Sequence, residues 1–114
     1  MAKPLRGECE VTLGEEKFTL RLALGNLEEL EAQIGVGIIA LATRFTNGQA
    51  SLRDARAIIR QGFAGANIRI KEERLTALIE KTGMGVIREA ATLLLTVLTD
   101  DSEGNAGAAA ETVD

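Results

Sequence analysis

The sequence predicts an α+β fold, an N-terminal antiparallel β-hairpin packed on a bundle of about five short helices. Two patterns carry this expectation. Apolar and polar residues first alternate, which is the period of a strand; from Leu27 onward apolar residues recur three and four apart, which is the period of a helix. Glycines and an Asn-Gly pair then cut the helical stretch into short pieces.

In the first strand Cys9, Val11 and Leu13 share one face, and Glu8, Glu10 and Thr12 share the other. Gly14, Glu15, Glu16 and Lys17 read as the turn. Phe18, Leu20, Leu22 and Leu24 then fall on one face of a second strand. A two-stranded hairpin is marginal in water, so its oily face needs helices over it.

Asn26 reads as the N-cap of the first helix, with Glu29 in capping-box position. Leu27, Leu30 and Ile34 form its stripe and Gly35 its stop; Glu28, Glu29 and Glu31 fall in first turns, where the helix dipole favours negative charge. A second helix over 36–45 carries Ile38, Leu41, Ala42 and Phe45 and ends at Asn47-Gly48. Ser51 and Asp54 repeat the capping pattern, and the third helix aligns Leu52, Ala55, Ile59 and Phe63 before running out at Gly62 and Gly65. The fourth, about 71–81, turns Leu75, Leu78 and Ile79 inward and closes at Gly83. The fifth, about 84–98, has the stripe Ile87, Ala91, Leu94 and Leu98, yet Val86, Leu93, Leu95 and Val97 lie outside it. A helix that is oily on most sides is either central in its own fold or covered by a partner.

Residues 1–99 are expected to form one domain, and the small, polar, acidic stretch 100–114 a disordered tail. Seventeen acidic residues against thirteen basic ones give a net charge of −4, which disfavours nucleic-acid phosphates and anionic membranes as partners. Without Trp or Tyr, and with its three Phe in apolar patterns, the chain lacks a platform for stacking bases.

Catalysis is disfavoured by subtraction. The absence of His removes the commonest general base and most transition-metal sites. Cys9 is the only cysteine and lies on the apolar face of a strand, where a thiol is inert. Gly83-Met84-Gly85 has neither a preceding strand nor a Walker lysine, so it reads as a tight connection rather than a phosphate cradle. No catalytic residue, metal ligand or cofactor site is therefore expected, and the chain is read as a protein-binding module. With no signal-peptide pattern, and a longest apolar run (90–98) far too short to span a bilayer, it is expected in the cytoplasm. The candidate binding residues are Leu93, Leu95, Val97 and Leu98 on the fifth helix, with Leu93 or Leu95 expected to be exposed or covered by another subunit. Arg53, Arg56 and Arg60, three and four apart on the polar side of the third helix, are candidates for an acidic partner.

Several stretches resemble the small gene-transfer-agent family proteins encoded among phage-like tail genes. They are Pro4-Leu5-Arg6-Gly7-Glu8, Phe18-Thr19-Leu20-Arg21-Leu22, Leu27-Glu28-Glu29-Leu30-Glu31 and Ile34-Gly35-Val36. The likeness continues through Leu41-Ala42-Thr43-Arg44-Phe45 and Arg60-Gln61-Gly62-Phe63-Ala64-Gly65-Ala66 and covers about residues 3–99. The resemblance carries no catalytic residue. It implies a role in building a siphophage-like tail, as a tail assembly chaperone that coats the hydrophobic helices of the tape-measure protein. The alternative within the family is a structural, tube-like or head-tail component that stays in the particle, and a regulatory nucleic-acid binder using the three arginines is a third reading. A second copy of the chain is a further candidate partner.

Overall fold

A computed structural model describes residues 7–99; the expected acidic tail, 100–114, lies outside the described residues. The element order is β1 (Glu8–Leu13), β2 (Glu16–Arg21), α1 (Leu24–Ile34), α2 (Ile38–Thr46), α3 (Leu52–Gly65), α4 (Glu72–Thr82) and α5 (Gly85–Leu98). The α+β architecture of a hairpin followed by five helices is the one the sequence predicts.

Strands β1 and β2 pair antiparallel with Cys9 opposite Leu20, Val11 opposite Phe18 and Leu13 opposite Glu16. Directly opposed residues share a face, so this register joins the two apolar stripes into one surface. The turn is shorter than the four residues expected. Gly14 at φ +65° supplies the first central residue and Glu15 keeps a negative φ, the pattern of a two-residue II′ loop, so β2 starts at Glu16. It also ends earlier. Leu22 is still buried, but Leu24 opens α1 and is 72% exposed rather than facing the core.

Helix α5 is the centre of the fold. β1 and α3 both pack against it, β2 packs against α3, and α1 and α2 complete the cover on α3 and α5. Enclosure on several sides is why its apolar residues nearly surround it. Val86, Ala90, Leu93 and Leu94 are buried, so the inward face is turned by about one residue from the expected Ile87, Ala91, Leu94 and Leu98.

Two glycines let these elements approach. Helix α3 continues through Gly62 instead of fraying there. A Cβ at Gly62 would lie 2.6 Å from Leu93 Cδ2 and 3.2 Å from Leu20 Cβ, and one at Gly65 would strike the Arg21 carbonyl oxygen. Phe63, beside them, meets Phe18 edge to face with ring centroids 5.0 Å apart. Ala55, Ile59 and Phe63 point inward as expected; Leu52 does not, because it is the first helical residue, where α3 emerges from the core.

The helix ends show which local signals held. Ser51 Oγ accepts the Asp54 N–H and Asp54 Oδ2 accepts the Ser51 N–H, each at 3.0 Å, closing the predicted capping box. The start of α1 differs. Its N-cap is Ala23, and Asn26 sits one turn later, where Oδ1 accepts the Ala23 N–H at 2.9 Å and Nδ2 donates to the buried Gln61 at 3.0 Å. Since Ala23 has no side-chain acceptor, only half of the reciprocal cap exists. The earlier start also places Glu28, Glu29 and Glu31 beyond the first turn, and Glu31 instead accepts the Ile38 N–H that begins α2.

Candidate protein-binding surfaces

The apolar candidates on α5 divide. Leu93 is fully buried against Gly62, so it belongs to the core and not to a surface, contrary to the expectation that it could be exposed. A glycine on the facing helix makes the pocket that receives it, and that pairing has no signature in helical periodicity. Leu95, Val97 and Leu98 are half-buried and packed on the core. Val97 alone among them lines a groove, of about 220 Å³, with Leu22, Leu24 and Leu27 at the junction of β2 and α1. Leu24 stands exposed at its rim. Strand alternation places Leu24 inside the hairpin, and because the N-cap Ala23 has no capping side chain, nothing local marks the earlier helix start.

The arginines are brought together, but two of the three are engaged. Arg60 holds Glu72 with two hydrogen bonds, Nε to Oε2 at 2.7 Å and Nη2 to Oε1 at 3.0 Å. Arg56 donates to the same Oε1 at 3.1 Å and to Thr76 Oγ1 at 2.6 Å. The fork fixes α4 against α3. Hydrogen bonding from Arg60 holds the Glu72 carboxyl below the usual glutamate value, and the same bond raises the Arg60 guanidinium. Arg53 is exposed and makes no ion pair with any described residue.

Sequence patterning gives no sign of three polar contacts. Asp54, 3% exposed, gives its second oxygen to Arg44 at 2.9 Å and ties α2 to α3. Glu89 of α5 accepts the Thr12 backbone N–H at 2.9 Å, and Thr82 of α4 accepts the Gly14 N–H at 2.7 Å. The two contacts to the hairpin span more than sixty residues of sequence, beyond the reach of local patterning.

Cys9 is half-buried. Burial pushes its thiol up, opposed by a hydrogen bond with Thr96 and reinforced by Glu89 and Glu10, so the reactive thiolate is disfavoured. Among the described residues no group of three or more His, Cys, Asp or Glu could hold a metal ion, and no helix is long and apolar enough to cross a membrane.

No curated protein and no solved structure matches the chain. The family model described as phage tail tube protein, GTA-gp10, matches residues 6–100, which include all the described residues. The chain therefore belongs to the phage tail tube protein, GTA-gp10, family.

Proposed function

We propose that the protein is a tail assembly chaperone of a phage-like particle or gene transfer agent, and that it binds apolar helices of the tape-measure protein before the tube closes around them. The observation that carries this reading is the small, two-stranded sheet, one of whose β1 edge donors is taken by helix α5. A subunit that closes into a ring by joining sheets edge to edge would need a larger sheet with free edges. Here the sheet has two strands, and Glu89 and Thr82 occupy backbone donors along the β1 edge and turn. The groove of Arg21, Leu22, Leu27 and Val97, about 220 Å³ with Leu24 at its rim, has room for an apolar anchor side chain from a partner helix.

The test is co-expression with the tape-measure protein followed by co-purification. Leu24→Ser should lose the complex while melting as the parent does. An undiminished complex removes the groove from the account. The structural reading, a tail component retained in the particle, is favoured by the family description itself. It predicts stoichiometric amounts of the protein in purified particles.

A further inference from the structure

The connection from α3 to α4 alternates Ile68, Arg69, Ile70 and Lys71. Ile70 packs on the core while Arg69 and Lys71 stand exposed, and with Arg60, Phe63 and Ile68 they line a groove of about 520 Å³. Its floor is apolar, and every charged residue that lines it is a cation. Arg60 is engaged by Glu72, whereas Arg69 and Lys71 have no ion pair among the described residues.

The opposite pattern stands on α1, which contains three acids and no base. Glu31 is used locally, accepting the Ile38 N–H, but Glu28 and Glu29 are exposed and have no ion pair among the described residues. Leu24, 72% exposed, lies one turn before Glu28 on the same side of the helix. An apolar side chain followed by two carboxylates is the complement of an apolar floor bordered by two cations. Within one molecule the two do not meet: α1 is fixed against α3, with Asn26 Nδ2 donating to Gln61 at 3.0 Å and Glu28 and Glu29 on the solvent side.

We propose that the acidic face of α1 docks in the α3–α4 groove of a second copy of the chain, with Glu28 and Glu29 on Arg69 and Lys71 and Leu24 toward the apolar floor. This contact is independent of the chaperone reading. Leu24 also rims the groove at Val97, so self-association is measured on this chain alone, without the tape-measure protein. Nucleic acid is the weaker occupant, because its phosphates would face a chain of net negative charge that offers no Trp or Tyr for stacking.

The test is sedimentation equilibrium of the full-length chain. Exposed ion pairs are individually weak and screened by salt, so the parent should self-associate at about 20 mM salt, with a dissociation constant at least about tenfold larger at about 0.5 M. Glu28→Lys with Glu29→Lys makes the α1 face cationic, and Arg69→Glu with Lys71→Glu makes the groove acidic. All four positions are exposed, so both variants should melt as the parent does. Each variant alone should be monomeric at low salt, because like charges then meet. An equimolar mixture should associate again, since the reversed face of one variant fits the reversed groove of the other. A parent that stays monomeric at low salt, a variant that still self-associates alone, or a mixture that does not recover would each overturn the proposal.

Discussion

The Glu89 carboxylate accepts the Thr12 backbone N–H at 2.9 Å, so helix α5 occupies a donor on β1 that a further strand would otherwise use. This long-range bond links the sheet to the central helix and takes one of the donors along the β1 edge.

Its energetic role is separable from its shape. Glu89→Ala leaves the half-buried Thr12 N–H without that acceptor and should cost about 1–3 kcal/mol in urea denaturation. Glu89→Gln keeps a carbonyl acceptor and should retain most of the stability. Equal losses in the two variants would mean that the hydrogen bond contributes nothing of its own.

Glycine positions give a paired test. A Cβ at Gly25 meets nothing within 4 Å, so Gly25→Ala in α1 should be neutral or stabilising by up to about 1 kcal/mol. A Cβ at Gly65 meets the Arg21 carbonyl, so Gly65→Ala should lower the urea midpoint markedly despite alanine's better helix propensity. A stabilising Gly65→Ala would show that β2 does not approach α3 so closely.

The two leucines whose places differ from expectation should behave in opposite ways. Leu93→Ala removes a fully buried side chain and should cost about 2–5 kcal/mol. Leu24→Ser, at a 72% exposed position, should change stability by no more than about 0.5 kcal/mol. Thermal melts of both variants check the assignment, and a benign Leu93→Ala would return that residue to the surface.

The Glu72 fork predicts a pH dependence. Its folded-state pKa is depressed, chiefly by the Arg60 hydrogen bond, so its contribution is fully present above the ordinary glutamate range and is lost as pH falls through the lowered folded value. The difference in urea midpoint between the parent and Glu72→Gln should therefore be constant near neutrality and shrink in acid. A difference that stays unchanged into strong acid would contradict the ion pairing.

Local signals in the sequence were dependable where one short segment decides the outcome. Alternation fixed the hairpin face from Cys9 to Leu22, Ser51 and Asp54 formed their box, and Leu75 and Leu78 point inward from α4. The misreadings share a cause in partners distant along the chain. Asn26 is held by Gln61 thirty-five residues away, and Leu93 is received by Gly62. A helix covered on several sides, such as α5, has no single stripe, so periodicity could not choose its inward face. The arginine spacing was legible, but the engagement of Arg56 and Arg60 with Glu72 depended on where α4 docks.

The chaperone reading is tested most directly by quantitative mass spectrometry of purified particles alongside the producing cells. A chaperone should be abundant in the cells, recovered with the tape-measure protein before assembly, and absent from finished particles. Stoichiometric recovery of this chain from finished particles would contradict the reading and make it a structural part of the tail.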